Sequence, residues 1–370
     1  MSESRSNILQ FGTSRFLQAH ADCFIGQALR KGKAAGTITV VQTTSSAESA
    51  ARVAAFNRLK TYPVVVRGIE NGEVVDRREE IGSIERAFQA DRDWPEILAF
   101  FVERCRFVIS NTGDRGYLTE RSDHLASAPP RSFPAKLTAL LWARYRVDRA
   151  GVTFLPCELL PDNGSALRDL VCAVAVEWAL PEPFVRWVRE SCVWANSLVD
   201  RIVSEAIDPV GAVAEPYALW AVQHQPALEL PCEHACVQVV PDLGQFELLK
   251  LGILNLGHTF LVSRWKKAGR PDIVTVLDAM NDGALYGAWR RVQEEEVLPI
   301  FAAMGLEEEA RRYARTVDER FRNPFLKHRL EDIAGNHEQK LQRRIAPLLA
   351  RAREAAPGLK TPLLDACLLG

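Results

Sequence analysis

Residues 6–20 read Ser-Asn-Ile-Leu-Gln-Phe-Gly-Thr-Ser-Arg-Phe-Leu-Gln-Ala-His. Ser6 to Phe11 is the short run expected of a buried strand, Gly12 follows it, and Phe16 to Leu29 has helical periodicity. A strand feeding a glycine turn and a helix N-terminus aims backbone N–H groups and a positive dipole at one spot, the physical recipe for holding a pyrophosphate. Gly12, Thr13, Ser14, Arg15 and Phe16 are therefore the candidate cofactor-binding turn. The Gly-x-Gly-x-x-Gly fingerprint is not intact, because Ser14 and Leu17 stand where its second and third glycines would be. Taken alone, the turn reads equally well as a plain strand-to-helix connection.

The same alternation continues outward. Thr37 to Gln42 is a β-branched run, and an Ala-rich helix from Glu48 to Leu59 follows it. Val64–Val66 and Glu73–Val75 flank Glu70-Asn71-Gly72, and Asn-Gly is a strong hairpin signal. Arg106 to Ser110 is a further buried strand ending at Asn111-Thr112, and Val152 to Cys157 is another, leading to Asn163-Gly164. Strands alternating with helices predict an α/β fold, a Rossmann-type doubly wound parallel sheet. Ligands of such sheets lie beyond the carboxyl ends of the strands, where Gly12, Asn111 and Asn163 fall. The second strand ends in Gln42-Thr43-Thr44-Ser45-Ser46, neither acidic nor basic, so the choice between NAD and NADP is open. Strand signals stop near Asp242. The expected domains are residues 1–240, a dinucleotide-binding unit, and 241–370, a mostly helical substrate and catalytic unit with breaks at Pro299, Asn323-Pro324 and Pro357-Gly358.

A chain of 370 residues with 47% hydrophobic composition can build two cores. Its 46 Lys+Arg against 47 Asp+Glu leave no basic footprint for nucleic acid. Leu170 to Leu180 is too short to span a bilayer, and the N-terminus lacks a signal-peptide core, so a soluble cytoplasmic protein is expected. The eight cysteines are scattered, as in a reducing compartment. Cys232-Glu-His-Ala-Cys236 lacks a second ligand pair for zinc and reads as an alternating strand leading into Val239-Val240, so no metal is expected.

A second stretch carries the chemistry. Glu247 to His258 reads Glu-Leu-Leu-Lys-Leu-Gly-Ile-Leu-Asn-Leu-Gly-His. At about 100° per residue, Glu247 lies about 60° from Lys250, His258 about 80° and Asn255 about 140°. One helix side thus carries four polar groups among apolar flanks. The flanks suggest burial, and a buried lysine is rare unless it is paired or used.

Together these pieces resemble the polyol-specific long-chain dehydrogenase/reductase family, also called the mannitol dehydrogenase family. The matching residues are the Gly12 turn with Phe16, Ser110-Asn111-Thr112, Pro134-Ala135-Lys136-Leu137, Cys157-Glu158-Leu159 with Asn163-Gly164, Leu198-Val199-Asp200-Arg201-Ile202, and Lys250-x4-Asn255-x2-His258. Leu9-Gln10-Phe11-Gly12, Pro156-Cys157-Glu158-Leu159, Ala279-Met280-Asn281-Asp282 and Arg322-Asn323-Pro324-Phe325-Leu326-Lys327-His328 are similar to its hexuronate branch. The resemblance implies an NAD(P)-dependent, metal-independent oxidoreductase that interconverts a secondary alcohol and a ketone. Its substrate would be a sugar acid of the tagaturonate/altronate or fructuronate/mannonate type, or a polyol of the mannitol type. It implies Lys250 as general acid/base, Asn255 and Asn163 as donors to the substrate oxygen, and His258 as the group that orients the substrate. Glu247 would gate proton exchange with water. Asp200 and Lys340 match family positions near the substrate, and Lys327, His328 and Lys340 are candidates for neutralising a carboxylate. Ser14, Gln18 and a C-terminal region that reads as shortened depart from the family pattern.

The competing reading from another class is a non-catalytic dinucleotide-binding sensor, which would need no proton-transferring lysine. A monomer or small homo-oligomer is expected in either case.

Overall fold

A computed structural model describes residues 6–369. Its strands are β1 (Ser6–Phe11), β2 (Thr37–Gln42), β3 (Tyr62–Glu70), β4 (Glu73–Ile81), β5 (Ile84–Gln89), β6 (Phe107–Ser110), β7 (Thr153–Pro156), β8 (Val193–Trp194), β9 (Ser197–Asp200), β10 (Val203–Ala206), β11 (Ala212–Ala214), β12 (Leu219–Gln223) and β13 (Val237–Val240). The main sheet runs β5-β2-β1-β6-β7-β8 and is parallel throughout. Its strands are buried on both faces because alternate side chains enter different cores. Ile8, Val40, Phe107 and Ile109 face one, and Leu9, Phe11, Val41 and Val108 face the other. The strand order reverses between β1 and β6, and such a switch point is where open α/β sheets bind ligands.

Two small sheets join this frame, β10-β11-β3-β4 and β13-β12-β9. The hairpin between β3 and β4 forms as expected, with Asn71 at φ 55° and Gly72 at φ 81°. The helix expected over Phe16–Leu29 is broken at His20, which separates Arg15–Ala19 from Ala21–Arg30. The His20 ring is buried, stacks on Phe16 with centroids 4.8 Å apart, and bonds the Leu219 carbonyl through Nε2 at 2.9 Å. The strand expected at Cys232–Cys236 does not form. Cys232 makes an isolated bridge to Ala34, and the Cys236 N–H donates to His234 Nδ1 at 3.1 Å, closing a turn before β13 begins. Among the described residues, no three His, Cys, Asp or Glu side chains are placed to hold a metal, and no helix is long and apolar enough to cross a membrane.

The chain divides into two compact units, each assembled from separate segments. The first takes residues up to Val66 with Arg77–Ala214 and Ala218–Leu243. The second takes Arg67–Asp76, Glu215–Tyr217 and the chain from Gly244 onward. The second unit is helical around a core that includes Ile253, Phe260, Trp289, Phe301 and Phe321. Gly257 lets two helices approach, since a Cβ there would lie 2.8 Å from Trp289 and 3.0 Å from Phe321. Pro299 does not break this unit as expected. Gly283–Val292 runs through a π turn, Gln293–Val297, into Leu298–Ala303. A wide turn ahead of the proline accommodates its missing N–H within a continuous helix. The stops at Asn323-Pro324 and Pro357-Gly358 fall between helices as expected.

Candidate functional site

In the first unit, the candidate residues gather at the carboxyl ends of β1, β6 and β7. Gly12 has φ +116°, and a Cβ there would meet the Asn111 carbonyl oxygen at 2.7 Å. Only glycine fits that close approach without a backbone shift. Ser14 caps the helix Arg15–Ala19, its Oγ accepting from the Leu17 N–H at 3.3 Å and donating to Asn111 Oδ1 at 3.2 Å. Thr13 is buried, and its Oγ1 accepts from Arg52 Nε at 3.1 Å. Arg15 is exposed, and Phe16 is half-buried against His20. Gln18, the departure noted in the sequence, is buried. Its Nε2 donates to the Thr13 carbonyl at 3.1 Å and its Oε1 accepts from the Gly211 N–H at 2.6 Å, so it ties the turn to the loop before β11.

Glu158, the acid of the Cys157-Glu158-Leu159 motif, organises the neighbouring strand end. This buried carboxylate accepts from Ser110 Oγ at 3.0 Å, from the Thr112 N–H at 2.8 Å and from Thr112 Oγ1 at 3.0 Å. Burial raises its pKa despite those bonds. Asn111, held between these two bonded residues, donates from Nδ2 to the Cys157 carbonyl at 2.8 Å. The turn fits a dinucleotide. Glycine stands where the backbone must be bare, and Asn111 and Thr112 are fixed beside it at the switch point.

Asn163 is corrected. The sequence reading gives its amide to the substrate oxygen, whereas the structure engages it with the backbone. Nδ2 donates toward the carbonyls of Pro156, Glu158 and Ser197, and Oδ1 accepts from the N–H groups of Gly164 and Ser197. It braces β7 to β9 and, at 1% exposure, has no donor left to offer. Asp200 is buried at the end of β9, where its charge acts on His20.

In the second unit, Lys250 to Asn255 forms a π turn between the helices Gly244–Leu249 and Leu256–Ala268. The angles expected from a uniform α-helix are therefore wrong across this stretch. A π turn closes i to i+5 rather than i to i+4, so residues five apart come round to one side. Lys250 and Asn255 are five apart and both half-buried. The flanks Leu249, Ile253 and Leu254 are buried, so the burial expected for Lys250 applies fully to its neighbours and only partly to the lysine. Glu247 is exposed. His258 is buried against Phe321 and His328, with ring centroids 4.4 Å and 4.7 Å away. Burial first, and then the charges of His328, Arg320, Arg344 and Lys340, hold its pKa well below 6.5 and keep the ring neutral at pH 7.

Of the three residues proposed to neutralise a carboxylate, His328 meets His258, and Lys340 acts electrostatically on both histidines while its Nζ donates to the Ile333 carbonyl at 2.7 Å. Lys327 is exposed to solvent. Arg344 was missed. It donates from Nη1 to the Asn255 carbonyl at 3.3 Å and to Thr259 Oγ1 at 3.1 Å. Its spacing of four from Lys340 was the available signal, because it places both cations on one helix face.

Comparison with known proteins gives the same assignment along the whole chain. Family models described as the mannitol dehydrogenase Rossmann domain and the mannitol dehydrogenase C-terminal domain match residues 6–231 and 242–368. The altronate oxidoreductase of Bacillus subtilis (strain 168) is 34% identical over 94% of this chain and 75% of its own length. That of Klebsiella pneumoniae (strain 342) is 33% identical over the same shares of the two chains. Among solved structures, a D-sorbitol dehydrogenase in substrate-free form superposes with a TM-score of 0.80 at 23% identity, covering 95% of this chain and 77% of that one. A Pseudomonas fluorescens mannitol 2-dehydrogenase in ternary complex with NAD and D-mannitol gives 0.73 at 20% identity, covering 99% and 79%. At those identities the two structures establish the fold, a Rossmann-type unit followed by a helical one. The chain belongs to the mannitol dehydrogenase family.

Proposed function

We propose that this protein is an NAD-dependent oxidoreductase that interconverts a secondary alcohol and a ketone on a sugar acid of the altronate type, with Lys250 as the proton-transfer group. The observation that supports the reading is the π turn over Lys250–Asn255, whose five-residue step is the spacing of the lysine and the asparagine. The altronate oxidoreductase relatives support the sugar-acid class.

Gly12, Thr13, Ser14, Arg15, Phe16, Asn111 and Thr112 would hold the cofactor, which when bound supplies the hydride acceptor for alcohol oxidation. As hydride leaves carbon, the hydroxyl proton must go to a base, and negative charge grows on the oxygen. Lys250, as the neutral amine, takes that proton, and as the ammonium it returns it in ketone reduction. The Asn255 amide N–H donates to the oxygen. His258, held neutral by its surroundings, offers one donor and one acceptor to fix the sugar hydroxyls. Glu247, exposed at the start of the helix, exchanges protons with water. Asn163 enters only as the brace behind β7.

Lys250→Ala is the test. Altronate-dependent NAD reduction should fall by about 10²–10⁴ while NADH binding is retained. Unchanged turnover would remove Lys250 from the mechanism.

A further inference from the structure

We propose that Arg344 is the carboxylate anchor of the substrate site, a specificity residue that separates sugar acids from neutral polyols. The inference deepens the sugar-acid reading above and rests on it.

Two arginines of the helical unit show the contrast. Arg320 has its fork filled within the chain, with Nε and Nη2 donating to the two carboxylate oxygens of Glu215 at 2.9 and 2.8 Å. Arg344 is half-buried, and both of its bonds, to the Asn255 carbonyl and Thr259 Oγ1, use the single nitrogen Nη1. Among the described residues its Nε and Nη2 donors meet no acceptor. Half-buried guanidinium donors normally find acceptors, and a planar carboxylate matches two parallel N–H groups.

The electrostatics agree. Among the described residues, no carboxylate pairs with Arg344 or with Lys340, one helical turn before it. Burial alone shifts Arg344 downward, and Lys340 is lowered by burial and then by Arg344. Like charges at this spacing oppose each other, and the neighbouring His258 and His328, held neutral, supply no countercharge. An anionic ligand supplies the missing countercharge. Because Arg344 grips the backbone carbonyl of Asn255, the anchor is fixed to the turn that carries the proposed oxygen donor.

The experiment compares the wild type with Arg344→Gln and Arg344→Lys. The probes are altronate and altritol, the neutral hexitol with the same carbon chain. Steady-state kinetics, calorimetric binding and NADH affinity are the readouts. Arg344→Gln should raise the KM and Kd for altronate about 10- to 100-fold, the range of a hydrogen bond to a charged group, with altritol and NADH affinities held. Arg344→Lys should recover only part of the loss, because it restores charge but not the fork. Equal altronate affinity in wild type and Arg344→Gln overturns the anchor, as does a parallel loss for altronate and altritol. Altronate that is bound through Arg344 but never oxidised would leave the anchor standing and remove the proposed reaction. Altronate oxidised with the same KM by both proteins would do the reverse.

Discussion

Lys250 and Asn255 stand at the two ends of one π turn, and the five-residue step between them is the step that such a turn closes. Two predictions test this relationship. Asn255→Ala should lower kcat for altronate oxidation about 10²–10³-fold, as loss of an oxyanion donor does, with NADH affinity unchanged. Inserting one alanine after Leu251 would put Asn255 six positions from Lys250, about 120° around an α-helix, carrying Asn255 away from Lys250. That variant should keep its helical circular dichroism and lose kcat, and full activity in it would deny the turn a part in catalysis.

Gly12 tests the other unit. Gly12→Ala places a Cβ 2.7 Å from the Asn111 carbonyl in a backbone region that alanine disfavours, with strain of about 1–3 kcal/mol. Fluorescence titration should show NADH affinity reduced about tenfold or more, since 1.4 kcal/mol is one decade. Native affinity in this variant would place the cofactor elsewhere.

Asp22 and His20 give one core two opposite pH dependences. Burial raises Asp22 from 3.8 to about 7 and lowers His20 from 6.5 to about 3. Folded Asp22 keeps a proton that the unfolded chain releases, so its contribution to stability is full below pH 3.8 and is lost as pH rises toward 7. Folded His20 refuses a proton that the unfolded chain binds, so its contribution is full above pH 6.5 and is lost as pH falls toward 3. The slopes cancel between 3.8 and 6.5. Asp22→Asn should therefore gain stability with rising pH across that window relative to wild type, by at most about 1.4 kcal/mol per unit. Urea unfolding at several pH values checks the difference, and identical pH slopes would contradict it.

Glu215 and Arg320 form a bidentate pair with side chains 2% and 3% exposed, and Tyr217 lies 4.5 Å from the guanidinium. Glu215→Ala leaves a buried cation uncompensated and should cost about 3–5 kcal/mol in chemical denaturation. A loss below about 1 kcal/mol would mean that the pair behaves as a solvated surface one.

The sequence is most legible where local rules decide structure. β1 and β2 fall on the predicted residues, and Asn71-Gly72 turns the predicted hairpin, because apolar runs and turn residues act over a few positions. The short strands β8 to β12 are two to five residues long, too short for a period to show, and their pairings are set by distant partners. A 3.6-residue period cannot reveal a π turn, so Asn255 was placed too far from Lys250. Asn163 looked like a free donor because its bonds go to carbonyls brought in by β7 and β9. Glu158 and Arg344 were passed over for the converse reason, since their importance lies in what meets them in space.

The assignment of Glu215 to the helical unit has a consequence for the order of synthesis. This acid emerges 105 residues ahead of the cation it neutralises, while most of the unit it belongs to has not yet been made. The parallel sheet can assemble as its strands appear, but the helical core has to wait for the far end of the chain and then reach back for Arg67–Asp76 and Glu215–Tyr217. A nascent chain paused at Leu243 would hold an acid with no cation to bury, and a fragment begun at Gly244 would hold the cation with no acid. Expressed separately, the two halves should therefore recover native stability only when mixed.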